Sequence, residues 1–201
     1  MTAPRKIIVY IATSADGYIA RPDGSVDWLD RLRPTDNYGM GEFFKSIDTI
    51  LWGRTTYGPI SGKKGGGYGF GSKIKNYVFT HHPPKSAPPG VEFVNEPIGD
   101  FAQRLRAVPG KDIWMMGGAG IIASFLDAGE IDEFIIHVIP TFIGEGIPLV
   151  APKHRNVELK LLSLRDYPDG VVRLHYAVQR DLKKPTAAGK KRKVKLKPKK
   201  T

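Results

Sequence analysis

Cysteine is absent from the 201 residues, which excludes disulfides, thiolate chemistry and cysteine-ligated zinc and leaves no sign of an oxidising compartment. The five histidines, His81, His82, His137, His154 and His175, include no pair bracketing a glutamate at zinc-helix spacing, so no metal is expected. Long apolar runs are also missing. Residues 7–11 read Ile-Ile-Val-Tyr-Ile, but Asp16 follows too soon for a secretory signal or a membrane span. A cytoplasmic protein without membrane contact is expected. The G-x-G-x-x-G fingerprint is lacking, and no acidic residue follows the glycine pair Gly117-Gly118 at about 20 residues, which disfavours an ordinary dinucleotide fold.

An excess of charge is missing from most of the chain as well. The net charge is +11, yet residues 1–182 hold 21 basic against 20 acidic side chains. Residues 183–201 carry the other ten Lys and Arg and no Asp or Glu. A segment so poor in apolar side chains cannot bury a core, so a disordered basic tail is expected after one globular domain over residues 1–182. Two readings of the tail stand side by side: a solvated segment without a specific partner, or an electrostatic tether to nucleic acid or anionic lipid that salt would release.

What the chain does contain is a succession of short apolar runs. Residues 6–13 are nearly all apolar, suited to a strand covered on both faces. A turn-rich, irregular stretch follows, with Asp16-Gly17, Asp23-Gly24 and Asp27-Trp28-Leu29. Met40, Phe43, Phe44 and Ile47 recur at helical spacing within 37–47, ahead of a strand at 49–52. Seven glycines between 58 and 72 mark a mobile loop. Strands are predicted at 76–80 and near 91–94, a helix at about 97–108, and a strand at 112–116 running into a glycine-led helix. After Gly129 strands take over, at 131–140, 157–165 and 171–180, with Asp169-Gly170 as a hairpin turn between the last two. Crossover units in front and an antiparallel hairpin behind predict an α/β fold, a mixed, mostly parallel sheet with helices on both faces.

Three strand ends carry groups suited to one extended dinucleotide. Residues 113–122, Ile-Trp-Met-Met-Gly-Gly-Ala-Gly-Ile-Ile, run from a buried strand into glycines that open a helix, where a pyrophosphate could approach bare N–H groups. The same glycines would equally serve a tight strand-to-helix turn. Gly53-Arg54-Thr55-Thr56-Tyr57 frees the backbone at Gly53 and offers a guanidinium fork and two hydroxyls at a helix start. Thr80-His81-His82, with Lys85 beyond, ends another strand. Ligands of open α/β sheets gather at such carboxyl ends, so these segments can be neighbours in space. Arg, His and hydroxyl groups suit a 2′-phosphate, and none of the three segments supplies the carboxylate that binds a free ribose, which favours NADPH over NADH. The structural alternatives are a surface Arg54 paired with an acid and exposed loop histidines before Pro83-Pro84.

Taken together, residues 12–20, 26–29, 49–57, 78–80, 113–122, 131–134 and 140–148 give the chain a resemblance to the dihydrofolate reductase superfamily. Within it the chain is similar to the reductase domain of the bifunctional riboflavin-biosynthesis deaminase/reductase, over about residues 5–180. The resemblance implies a three-layer αβα reductase domain with NADPH along Gly53, Arg54, Thr55 and Thr56, along Thr80, His81 and His82, and along Gly117, Gly118, Ala119, Gly120, Ile121 and Ile122. It places the nicotinamide near Ala12 and the Gly144-Glu145-Gly146 loop, and implies a cis peptide between Gly117 and Gly118 and a homodimer.

The implied reaction transfers a hydride from nicotinamide C4 to a C=N or C=O carbon of a small pterin-like or ribosylaminopyrimidine-like substrate, while a proton reaches the neighbouring heteroatom. Asp16, Asp27 and Asp36 are the candidates for proton delivery or anchoring, since a desolvated carboxyl stays protonated near neutral pH, and Trp28 is a candidate substrate platform. Each aspartate also fits an ordinary turn, and Trp28 a buried aromatic. No zinc-ligand Cys and His signature of a fused deaminase is present, so a stand-alone reductase is expected. Dihydrofolate reduction is the alternative within the superfamily. Outside it stand a nucleotide binder without turnover and a nucleic-acid-associated protein acting through the tail.

Overall fold

The computed structural model describes residues 4–30, 37–61 and 74–180. Along the chain come β1 (Ile7–Ser14), β2 (Tyr18–Ala20), α1 (Met40–Ser46), β3 (Ile47–Gly53), α2 (Arg54–Ser61), β4 (Lys75–Phe79) and β5 (Val91–Val94). Then follow α3 (Ile98–Ala107), β6 (Asp112–Gly117), α4 (Ala119–Asp127), β7 (Glu133–Ile139), β8 (Ile147–Pro148), β9 (Leu159–Asp166) and β10 (Val172–Val178). Eight strands form one sheet in the order β5-β4-β3-β6-β1-β7-β10-β9. The first six are mutually parallel, and β10 pairs antiparallel with both β7 and β9.

Alternation along each central strand divides the core into two layers. Ile7, Val9, Leu51, Ile113 and Met115 face α3 and α4, where Phe101, Leu105, Ile122 and Phe125 close over them. Ile8, Tyr10, Ile50, Trp52 and Trp114 point the other way, against Phe43 of α1 and Tyr57 of α2. A strand buried on both faces needs apolar residues at every position, which is why these segments read as continuous runs. Each such side chain contributes about 1.5–3 kcal/mol on burial. The result is the three-layer αβα fold with an antiparallel C-terminal hairpin.

Local departures from the sequence reading concern short pieces. The stretch read as irregular contains β2, which pairs antiparallel with β8 as a separate two-stranded sheet, Tyr18 opposite Pro148 and Ala20 opposite Ile147. Elements of three and two residues are too short to show a period. The helical segment 37–47 is shorter than predicted: Asn37–Gly39 is a 3-10 turn in which Asn37 and Tyr38 take φ of 45° and 58°, and Ile47 already belongs to β3. Helix α2 extends through Ser61 into the stretch read as a glycine-rich loop, whose remainder lies outside the described residues, as do Asp36 and the basic tail. Among the described residues no helix is long and apolar enough to cross a membrane.

Candidate functional site

Because β1, β3, β4 and β6 run parallel, their carboxyl ends emerge along one edge of the sheet. There the three distant segments meet around a groove of about 1440 Å³. Arg54, Thr55 and Thr56 face it from the start of α2; Thr80, His81 and His82 from the end of β4; Gly118, Ala119, Gly120 and Ile121 from the start of α4. Ile11, Ile19, Ala20 and Ile147 close its apolar end.

Missing side chains make this junction possible. A Cβ on Gly53 would lie 3.2 Å from Ile121 Cγ2 and 3.5 Å from the Gly117 carbonyl oxygen. One on Gly118 would lie 3.1 Å from Thr56 Oγ1, whereas the Gly120 position faces open space. The peptide between Gly117 and Gly118 is cis. Arg54 and Thr55 are exposed, and among the described residues Arg54 has no carboxylate partner. Thr80 Oγ1 accepts a hydrogen bond from the His82 N–H at 3.1 Å, which shapes the turn carrying both histidines. An unpaired guanidinium, several hydroxyls and the N-terminal end of a helix with no Cβ in the way form a donor set that fits a phosphorylated dinucleotide. Two acids absent from the three segments also face the groove: Asp23, and Glu96, which is ion-paired with Arg104.

Several predicted site residues stand elsewhere. Gly117, with φ of 111°, and Ile122 lie behind the groove; Ile122 is fully buried in the core, its Cδ1 3.4 Å from where a Gly117 Cβ would sit. Gly144 and Gly146 do not line it either. The Gly144 N–H donates to Asp16 Oδ2 at 2.8 Å, and a Cβ on Gly146 would strike the Ala20 carbonyl, so both glycines hold the loop against β2. Asp16 is therefore a tether. Its exposed carboxylate is held below the usual range by hydrogen bonds, first from Ser14 and then from the Gly144 and Ile143 N–H groups, the opposite of a carboxyl kept protonated. Asp27 is exposed and doubly bonded to Arg21, at 2.6 and 3.1 Å, which likewise lowers its pKa. Trp28 is buried against Ile139, Tyr167 and Val171, not presented to a ligand. Neither Asp27 nor Trp28 lines the groove, though their neighbours Val26 and Leu29 do.

A smaller chamber of about 200 Å³ adjoins the groove across Ile11, Leu29 and Met116, which face both. Ala12, placed by the resemblance beside the nicotinamide, lines this chamber and not the groove. Tyr10, Tyr38, Met40, Trp114 and His137 complete most of its wall. His137 is buried in the middle of β7, within 3.3 Å of the Tyr38 carbonyl oxygen. The same carbonyl accepts the hydroxyls of Tyr10 and Tyr167, each at 3.1 Å. Sequence reasoning missed this cluster because Tyr10 and Trp114 look like core residues. The one available signal was a lone histidine inside the apolar run 134–139.

The RibD C-terminal domain model matches residues 98–173. The chain is 39% identical to the uncharacterized protein YwjB of Bacillus subtilis (strain 168) over 173 residues, covering 86% of this chain and 97% of that one. Among solved structures it is similar to a protein provisionally assigned to riboflavin biosynthesis from Shewanella sp. PV-4, with a TM-score of 0.76 and 25% identity over 87% of this chain and 99% of that one. A dihydrofolate reductase from Enterococcus faecalis, complexed with NADP(H), shares the fold with a TM-score of 0.63 at 14% identity, over 87% of this chain and 97% of that one.

Proposed function

We propose, for a chain that belongs to the RibD C-terminal domain family, that it is an NADPH-dependent reductase delivering a hydride to a C=N or C=O carbon of a small ring-containing substrate. The observation that carries this reading is the convergence of Gly53–Thr56, Thr80–His82 and Gly118–Ile121 on one groove. In it Arg54, with Thr55 and the two histidines nearby, takes the 2′-phosphate, and the N–H groups that open α4 take the pyrophosphate. Bound NADPH supplies the hydride. The chain's own contribution is to hold both reactants and to exclude water with Ile11, Ile19, Ala20 and Met116 at the apolar end. Glu96 is neutralised by Arg104 and so opposes a phosphate only weakly. The substrate class favoured is the aminopyrimidine type of the riboflavin pathway, with reduction in the cytoplasm.

Titrating NADPH and NADH against the wild type and Arg54→Ala tests the cofactor. NADPH is expected to bind in the micromolar range or tighter, about 8 kcal/mol. Arg54→Ala should weaken NADPH at least tenfold and NADH much less. Equal, feeble binding of both cofactors to the wild type would retire the reading. Following NADPH oxidation with a ribosylaminopyrimidine, dihydrofolate and a set of carbonyl compounds then identifies the substrate.

A further inference from the structure

The first turn of α4, where the reductase reading puts the pyrophosphate, has little of its own to hold it. Its N-cap is Gly118, no side chain caps it, and Gly120 is its second residue. Glycine is the least favourable helix residue after proline, so such a turn frays unless something outside the helix supports it. At the opposite end Asp127 is the last residue of α4, where a carboxylate meets the negative end of the helix dipole. Each end therefore calls for a partner, and one segment supplies both.

Residues 147–155 form a strap that starts in the groove wall with Ile147 and packs Leu149 and Val150 against the core beneath α4. The Ala151 N–H donates to the Ala119 carbonyl oxygen at 3.2 Å, in the first turn of the helix. The Ala151 carbonyl accepts from Arg155 Nη1 at 2.7 Å. The same guanidinium reaches Asp127 through Nε at 2.9 Å and Nη2 at 3.3 Å, and Lys153 Nζ donates to Asp127 at 2.8 Å. Hydrogen bonds from Arg155 first and Lys153 second push the Asp127 carboxyl down to about 2, so the clamp is ionised across the neutral range. An exposed ion pair would contribute little. Arg155 is only 17% exposed and its fork is shared between a carboxylate and a carbonyl, which fixes direction as well as charge. The ends of this nine-residue helix are about 12 Å apart, and a single arginine, through Ala151, ties one to the other.

We propose that Arg155 and Asp127 are positioning residues of the cofactor site: through Ala151 they hold the first turn of α4 in place to receive the pyrophosphate. The assignment rests on the reductase reading for the identity of the anion, while the hold on the turn is measurable without any cofactor. Neither residue lines the groove, so their effect on binding is transmitted and not made by contact.

The test titrates the full-length protein with NADPH and with 2′-AMP, which carries the adenine and the 2′-phosphate but no pyrophosphate. Arg155→Ala is expected to weaken NADPH about tenfold and 2′-AMP less than twofold. Asp127→Asn should weaken NADPH a few-fold, and Arg155→Lys, which keeps the charge opposite Asp127 with fewer donors, should fall between Arg155→Ala and the wild type. Hydrogen exchange at the amides of residues 119–123 should quicken about tenfold in Arg155→Ala, with β3 unchanged. An NADPH Kd within twofold of the wild type in Arg155→Ala, or equal losses for NADPH and 2′-AMP, overturns the proposal. Should Arg155→Ala not fold, Arg155→Lys and Asp127→Asn carry the same comparison. If the wild type binds no NADPH, the reductase reading falls and exchange alone decides the strap: unchanged exchange at 119–123 overturns it.

Discussion

His137 occupies a position on β7 where a strand buried on both faces normally carries an aliphatic side chain. Keeping an imidazole there has a consequence for stability. Its folded pKa lies near 4 and its unfolded one near 6.5, so between those values the unfolded chain binds the extra proton. Stability is therefore fully present above pH 6.5 and falls as the pH drops toward 4, by up to about 3 kcal/mol from this group. Carboxylates such as Glu133, also lowered in the folded state by the bonds of Lys6 and His175, lose their contribution at lower pH still. Urea denaturation at pH 7 and pH 5 should show a loss in the wild type that His137→Phe reduces by roughly 2 kcal/mol. An unchanged difference between the two pH values would mean that His137 titrates normally in the folded protein.

At the scale of elements, the groove depends on a junction between β2 and β8 that patterning could not announce. The central strands were legible because burial on both faces writes itself as uninterrupted Ile, Val, Leu and Trp, and the hairpin because Asp169-Gly170 sits between two apolar runs. That residues 53–56 and the glycines after β6 would meet at one groove was legible for a similar reason: glycines at strand ends next to Arg and Thr have a local chemical signature. Chamber residues had none. Tyr10, Tyr38, Trp114 and His137 come from four separate segments, and they share one chamber only once the sheet order places β1 between β6 and β7. Asp16 and Asp27 misled because a turn and a proton donor use the same residue, and only exposure and bonding partners separate them. Gly146 makes the β2–β8 contact testable. An alanine there would push its Cβ into the Ala20 carbonyl, so Gly146→Ala should cost about 2 kcal/mol or more and lower Tm by roughly 4–8 °C. Gly144→Ala, strained at φ of 82° but facing open space, should cost only about 1 kcal/mol. Because Ala20 and Ile147 both line the groove, NADPH affinity should fall with the first variant and hold with the second. Equal effects of the two would place the constraint in the loop backbone and not in the close approach.

For the molecule as a whole, the unbalanced surface is the far edge of the sheet. Leu161, Leu162 and Leu164 of β9 are 50%, 46% and 59% exposed, on a strand whose outer side pairs with nothing among the described residues. An apolar edge strand left open is a template for association, and stable proteins cover or charge such edges. A homodimer, which is only an expectation from the family resemblance, is predicted to use this face. The balance of charge permits it: residues 1–182, with 21 basic and 20 acidic side chains, present almost no net repulsion to a second copy. The groove spans the ends of β4, β3, β6 and β1, and β7 and β10 lie between it and β9, so assembly and cofactor binding should be independent. Light scattering of the full chain at tens of micromolar is expected to give twice the 22.2 kDa chain mass. Leu162→Lys with Leu164→Lys should return it to the monomer mass while the Kd for NADPH stays within about twofold. A wild-type monomer at that concentration, or a double variant that remains dimeric, would move the interface off β9 or remove it.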